Sequence, residues 1–447
     1  MHQFDGAVIT TALPSMAESL HEDPLKLNLA ITCYLLALAV FVPISGWMAD
    51  RWGAKRVFTA AIVLFTASSV LCGFSDSLLQ LIVLRTMQGI GGAMMTPVGR
   101  VIVVKSVPKS ELVRAMNYIT IPAVLGPVLG PSVGGFIVTY FSWPVIFFIN
   151  LPIGLIGIVL VWIYIPDIKE EDVPRLDLRG FILISTALAA LVFGFSALGR
   201  NVISNTIILV AIACGVVCAT LYLMHARRKT DAIIDLSLLR VQTFRVAVTG
   251  GSLFYLGTTS QVFLLALLLQ LGFGMSAFHA GLITLGNAAG SVLMRFTFQQ
   301  ILKFFGFRTL LVGTAILMGL ILISCGFFTP ATPIALMMAI LVVSGFCRST
   351  QFTAVQSIGY ADLTTPQTSR ATSFAAMLQQ LSQSVGVGLS AGVVHLSLLW
   401  HGRTDVSPAD VALGFFVIGA CSLSSCLVFY RLPHDAGMQL SGRRPRV

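Results

Sequence analysis

The chain predicts an all-α polytopic membrane protein with fourteen spanning helices, and three observations carry that prediction. Hydrophobic residues make up 56% of the 447 and charged residues only 10%, where an ordinary soluble domain carries about 25% charged residues. The apolar residues gather into runs of about 20, long enough to cross a bilayer at about 1.5 Å per residue. Third, the basic residues sort to one side. With both termini cytoplasmic, 21 of the 28 Lys and Arg fall in cytoplasmic segments, three (Lys26, Arg200, Arg403) in outer loops and four (Arg85, Arg100, Arg295, Arg348) inside helices. That is the bias expected of cytoplasmic loops, and adding or dropping one helix would scramble it.

The runs centre on residues 4–20, 27–49, 57–74, 78–99, 115–138, 144–165, 180–199, 203–224, 244–270, 279–298, 308–328, 332–355, 371–395 and 409–430. The longest polar interruptions, 166–179 and 225–243, leave six helices, then two, then six. The expected organisation is a bundle over 1–165, two extra helices with flanking cytoplasmic loops over 166–243, a second bundle over 244–430 and a basic cytoplasmic tail over 431–447. Asp231-Ala-Ile-Ile-Asp235-Leu-Ser-Leu-Leu reads as an amphipathic segment along the inner interface. No cleavable signal precedes the first run. If Asp5 lies mid-membrane, about ten residues of its helix are missing before it, so the first helix is expected to be truncated.

The first run holds Phe4-Asp-Gly-Ala-Val-Ile-Thr-Thr-Ala-Leu-Pro14. Asp5 is the one acidic residue placed within an apolar run, where an ionisable group is costly and by default a functional candidate. The plainer alternative puts Asp5 at the cytoplasmic end of its helix. Between the second and third runs lies Gly46-Trp-Met-Ala-Asp-Arg-Trp-Gly-Ala-Lys-Arg56. Gly46 and Gly53 suit close packing and a tight turn. Asp50 can face a helix N-terminus or a basic side chain, and Arg51, Lys55 and Arg56 mark the loop as cytoplasmic.

About seven residues into the fourth run stands Arg85-Thr-Met-Gln-Gly-Ile-Gly-Gly. Arg85 lies about 10 Å deep and should face a polar cavity or a carboxylate, the alternative being that it snorkels to the outer surface. The glycines at 89, 91 and 92 allow a neighbouring helix to come close. In the fifth run, Gly126, Gly130 and Gly134 form one smooth face, with Gly135 beside it. Pro127 and Pro131 weaken the backbone ladder there. A plain packing face is the bland reading. The second half offers buried amides, of which Gln261, Gln351 and Gln379, together with Gln88 of the first half, are candidate substrate contacts. Phe305-Gly-Phe-Arg308 stands where Trp52-Gly-Ala-Lys-Arg56 stands in the first half, which suggests parallel repeats.

These motifs resemble the major facilitator superfamily, and within it the fourteen-helix drug:proton antiporter group. The 46–56 loop resembles the signature between its second and third helices. Asp5 with Ala12-Leu-Pro14 resembles the first helix of the drug:proton antiporters. The Arg85 run resembles the fourth-helix motif, and Gly126–Gly135 the antiporter signature of the fifth. Trp143-Pro-Val-Ile-Phe-Phe-Ile-Asn-Leu-Pro-Ile-Gly154 resembles the start of the sixth. The second half departs from the pattern: Arg370 is followed by Ala371-Thr-Ser-Phe374, with no Asn.

The resemblance implies a major facilitator fold in a bacterial inner membrane, and proton-coupled export of amphipathic drugs by alternating access. It implies proton handling by Asp5 and Arg85, and gating by Gly46, Asp50, Arg51, Gly53, Arg56 and the Gly126–Gly135 face. Export of one metabolite, such as a siderophore or an organic acid, is the rival. Expected partners are a small-molecule substrate, protons and the lipid bilayer. The +10 net charge belongs to loops at the membrane and not to a nucleic-acid surface. No cofactor or metal is expected: the eight cysteines are scattered through apolar runs, and HExxH and GxxxxGK[ST] are absent. An intramembrane enzyme would need clustered acids, His or Cys at membrane depth, so the chain is expected not to be an enzyme.

Overall fold

Long helices follow every apolar run. The computed structural model describes residues 2–22, 24–167, 169–170, 173–198, 204–229, 231–402 and 406–441. The helices are α1 (His2–Leu20), α2 (Pro24–Phe41, continued through Val42–Ile44 into Ser45–Trp52), α3 (Ala54–Gly73), α4 (Leu78–Ser106), α5 (Leu112–Tyr140) and α6 (Val145–Phe148 with Asn150–Tyr164). Then come α7 (Leu178–Ala197), α8 (Asn205–Arg228) and α9 (Gln242–Ala266, ending in a π turn, Leu267–Gly272). The helix Ala277–Cys325 breaks at Gly306 into α10 (277–305) and α11 (307–325), followed by α12 (Ile334–Ile358), α13 (Thr368–His401) and α14 (Pro408–Phe429). No strand occurs among the described residues. Eleven helical stretches among them are long and apolar enough to cross a membrane, one of which is α10 and α11 together.

Local chemistry sets the helix boundaries. Ser77, Asp177, Ser204 and Ser276 cap α4, α7, α8 and α10 through their side-chain oxygens, satisfying N–H groups that a helix start leaves orphaned. Ser407 and Asp410 form a capping box at α14. Gly53 takes φ 91° between α2 and α3, and Gly306 takes φ 75° between α10 and α11. Glycine enters that region at little steric cost, so each pair of spanning helices reverses within one residue. The two glycines stand at matching places in the two halves, as the parallel-repeat expectation has it.

Helices α1 to α6 pack among themselves, with α1 on α5, α2 and α3 on α4, and α3 on α6. Helices α9 to α14 do the same, with α10 and α11 on α12 and α14, and α9 on α13 and α14. The two sets meet where α4 and α2 touch α13 and where α5 touches α10–α12. Helices α7 and α8 pair with each other, and α7 bridges α2 and α13. The glycines of α4 permit its close packing. A Cβ at Gly89 would lie 2.5 Å from the Tyr34 carbonyl oxygen of α2, and one at Gly91 would lie 2.9 Å from the Phe65 nitrogen of α3.

The segment 231–238 departs from the interfacial reading. Ala232, Ile233, Ile234 and Leu238 are buried in the protein core. The Ile234 N–H donates to the Tyr222 hydroxyl (2.8 Å), which donates to the Ile234 carbonyl (3.2 Å). Its apolar side chains cover protein rather than lipid, because the core at this end of the helices is where the two halves close. Six residues of the predicted tail, 442–447, lie outside the described residues.

Asp177 ties α7 to α8. It accepts from the Gly180 N–H (3.1 Å) and from Lys229 Nζ (2.9 Å), and His225 Nε2 lies 3.0 Å away. Burial pushes this carboxyl up, but Lys229, the Gly180 N–H and His225 outweigh it and hold it below the usual carboxylate range. A depressed folded pKa contributes stability above the unfolded value of about 3.9 and loses it as pH falls through the lower folded value. Asp177→Ala should therefore loosen the start of α7 at neutral pH, by about 0.5–2 kcal/mol from the lost cap alone, free the end of α8 that carries His225 and Lys229, and remove the acid-dependent step. Amide hydrogen exchange of 178–181 and 225–229 as a function of pH checks this. Unchanged protection at pH 7 would show that the tie carries no stability.

Candidate functional site

Asp5 and Arg85 come together, 80 positions apart in sequence. Arg85 Nη1 donates to Asp5 Oδ2 at 2.6 Å, and both side chains are at most 1% exposed. Arg85 Nη1 also donates to Gln88 Oε1 (2.5 Å), and Gln88 Nε2 donates to Asp5 Oδ1 (3.1 Å). Asn150 of α6 donates to the same Asp5 oxygen (3.2 Å) and to Ser69 Oγ of α3 (3.0 Å). Ser69 in turn donates to the Phe147 carbonyl (2.9 Å). The guanidinium lies over the Tyr34 ring of α2 at 4.3 Å from its centroid, a cation–π contact that gains strength when desolvated. Five helices thus converge on one carboxylate.

The depth of the cluster settles two alternatives. Arg85 lies seven residues after the start of α4 and 21 before its end, which is about 30 Å from the end that carries Lys105. Asp5 is therefore not at the basic end of the helices. Arg85 does not snorkel either, since its side chain is fully buried. A buried ion pair resists removal of one partner, typically at about 3–5 kcal/mol.

A second set of contacts closes the basic end, where Lys55, Arg56, Lys105 and Lys109 lie. Asp50 Oδ1 accepts from Ser369 Oγ at the start of α13 (2.5 Å) and from Lys105 Nζ (3.1 Å). The partners are thus the first turn of a helix in the other half and a lysine of α4, not the neighbouring Arg51, Lys55 or Arg56. The Gly46 N–H donates to Ser373 Oγ (2.8 Å), and Ser45 Oγ lies 2.9 Å from it. Lys109 Nζ donates to the carbonyls of Ala361 (3.0 Å) and Leu363 (3.4 Å). One layer deeper, Arg100 Nη2 donates to Gln379 Oε1 (3.1 Å). With its amide oxygen turned inward, Gln356 accepts from both terminal nitrogens of Arg100 (3.2 Å) and from the Tyr255 hydroxyl (2.8 Å). The loop before α7 joins in: Glu170 Oε1 accepts from Lys105 (2.8 Å), and the Trp47 indole donates to the Pro174 carbonyl (2.9 Å).

The remaining candidates fall as follows. Gln88 belongs to the Asp5 cluster. Gln261 is buried in a reciprocal bond with Ser344 of α12. Gln379 is part of the closure layer. Gln351 is 1% exposed and, among the described residues, neither amide atom has a partner. Arg51 is exposed, and Arg56 reaches the exposed Asp167 at 3.7 Å, a pair of little energetic weight; among the described residues neither side chain pairs with the other half. Gly130 and Gly134 are buried and Gly126 half-buried on α5. The side chains of Pro127 and Pro131 lie outside the described residues. At Gly135 a Cβ would meet nothing within 4 Å among the described residues. No group of three metal-ligating side chains occurs among the described residues.

Sequence reasoning gave no role to Asn150, Ser69, Tyr34, Lys105 or the serines of α13. An Asn inside an apolar run was a readable signal for Asn150. Ser369 and Ser373 carried none, because serine is ordinary at a helix start.

A family model described as Major Facilitator Superfamily matches residues 1–228. MdtD of Escherichia coli O6:H1, a protein named for multidrug resistance, is 36% identical over 451 residues, covering 100% of this chain and 95% of its own. MdtD of Shigella sonnei is 36% identical with the same coverage. Among solved structures, the human organic anion transporter MFSD10 (TETRAN) superposes with a TM-score of 0.65 at 14% identity, covering 95% of this chain and 89% of its own. The proton:xylose symporter XylE superposes with a TM-score of 0.64 at 15% identity, covering 97% and 94%. At these identities the two superpositions speak for the fold alone.

Proposed function

The chain belongs to the major facilitator superfamily, and on that premise we propose that this transporter is a proton-coupled exporter of amphipathic drugs or other toxic small molecules. The observation that carries the reading is the buried Asp5–Arg85 pair with Gln88 and Asn150 around it. A carboxylate held in the middle of a membrane protein by one breakable ion pair is suited to pick up a proton on one side and release it on the other. MdtD, named for multidrug resistance, supports drugs as the cargo.

In this reading the basic end faces the cytoplasm of a bacterial inner membrane, following the positive-inside bias. Residues 1–165 and 244–430 are the two bundles that rock about a central site. Residues 166–243 are the inserted pair with its loops, and 431–447 are a cytoplasmic tail. The contacts of Asp50, Gly46 and Lys109 are then a cytoplasmic gate in its closed state. The test is dye uptake into inverted vesicles. An acid-inside gradient should drive accumulation, and its collapse should stop it. Equal uptake with and without the gradient overturns proton coupling.

The gate reading makes its own prediction. Asp50→Asn keeps the shape but removes the charge that faces Lys105 and the first turn of α13. A carboxylate at a helix N-terminus is worth about 0.3–2 kcal/mol, enough to move a balanced equilibrium several-fold. The variant should turn over several-fold more slowly and populate the cytoplasm-open state more, with substrate affinity in the outward-facing state unchanged. Cysteine accessibility from each side of the membrane reads the populations; an unchanged ratio with normal transport would leave Asp50 only a role in topology.

A further inference from the structure

The geometry points to an anion-binding site at Arg348 and Gln351, so that the cargo of this transporter is an amphipathic organic anion rather than a cation. This deepens the exporter reading and rests on it for the word cargo; the site itself stands on geometry.

Arg348 lies fourteen residues after the start of α12 and ten before its end, about 21 Å and 15 Å from the two ends. It is therefore deep within the membrane section. Among the described residues it has no carboxylate within ion-pair distance, and its buried Nε has no hydrogen-bond partner. One turn further on the same face, Gln351 is 99% buried with both amide atoms unpartnered. Residues 348, 352 and 356 share one row on the helix. Phe352 packs on the Tyr255 ring of α9 (5.8 Å), and Gln356 meets Arg100 of the first half. Arg348 and Gln351 thus stand one to two turns above the closed layer, with Gln351 two turns beyond Ser344 on the face of α12 that meets Gln261 of α9.

The charge pattern within the membrane section agrees. Arg85, Arg100 and Arg348 all lie within spanning helices, and the one mid-membrane carboxylate among the described residues, Asp5, is already held by Arg85. Among the described residues Arg100 is bonded to the neutral amides of Gln379 and Gln356. Unpaired guanidiniums at this depth are costly. A bound carboxylate, sulfonate or phosphate relieves that cost through the planar fork of donors. The same field repels a lipophilic cation, which gives selectivity by repulsion as well as attraction.

Fluorescence titration of the full chain in phosphatidylcholine nanodiscs tests this, with dansylglycine as the anion and dansylcadaverine as the matched cation. Dansylglycine should bind at least about tenfold more tightly. Arg348→Gln should lose that preference. Arg348→Lys, which keeps the charge, should retain most of it and guards against misfolding as the cause. Binding of neither probe, equal binding, a cation preference, or an anion affinity unchanged in Arg348→Gln overturns the proposal. So does displacement of dansylglycine by phosphatidylglycerol, which would make the site a lipid headgroup site. Binding needs no gradient, so a failure of proton-driven transport in vesicles would overturn the exporter reading while leaving an Arg348-dependent anion site standing.

Discussion

Asp5→Asn is expected to reduce gradient-driven transport to the passive leak. Asparagine fills the same space and can still bond Gln88 and Asn150, but it carries no exchangeable charge and no proton across the cycle. The substitution also leaves Arg85 buried without its counter-ion, at about 3–5 kcal/mol, so lost activity alone would be ambiguous. Pairing it with Arg85→Gln removes both charges together. The double variant should insert and fold at least as well as Asp5→Asn and still fail to use a pH gradient. Proton-coupled uptake near the normal rate in either variant would remove Asp5 from the mechanism. Substrate binding should survive in both, since the proposed anion site lies on α12.

Gly46→Val is expected to be nearly as damaging, for a different reason. A Cβ at Gly46 would fall on the Ser369 carbonyl oxygen, with the Ser369 carbon at 2.8 Å and Ser373 Oγ at 2.7 Å. Two of those atoms are backbone of the opposing helix, which cannot rotate away as a side-chain tip can. On the proposed gate reading, the clash exists when the basic end is closed and is relieved when it opens. Overpacking of this kind costs about 1–3 kcal/mol or more, which shifts a balanced equilibrium about five- to more than a hundredfold toward the state open at that end. Spin labels at the exposed Ser110 and Thr365, on a cysteine-depleted background, should report a longer distance in Gly46→Val. Transport should fall in proportion. A distance distribution identical to that of the unsubstituted protein would show that the halves do not separate along this seam.

Helix number, membrane placement and family were legible in the sequence because each depends on short-range properties. A run of about 20 apolar residues has few ways to satisfy its backbone except as a spanning helix. Gly53 and Gly306 marked the sharp reversals because few residues other than glycine tolerate the backbone there. Asp5 and Arg85 were legible as candidates for the same reason that they are rare: an ionisable group within an apolar run is expensive wherever the chain goes.

What only the tertiary structure decided was the pairing. That Arg85 reaches Asp5 and not lipid headgroups depends on how α1 packs beside α4, and no spacing in the chain encodes it. Asp50 was visible as an acid in a basic loop, but its partners, Ser369 and Lys105, lie 319 and 55 positions away. Gln261, Gln351 and Gln379 are the same residue type at similar depth, and the sequence treats them alike. Packing gives Gln261 a serine, gives Gln379 an arginine and leaves Gln351 with none. A polar side chain in a membrane protein takes its role from the group opposite it, because a desolvated donor or acceptor must be satisfied by whatever the neighbouring helix presents. Composition and periodicity determine that such groups are buried, and the fold alone determines which of them remain open to a ligand.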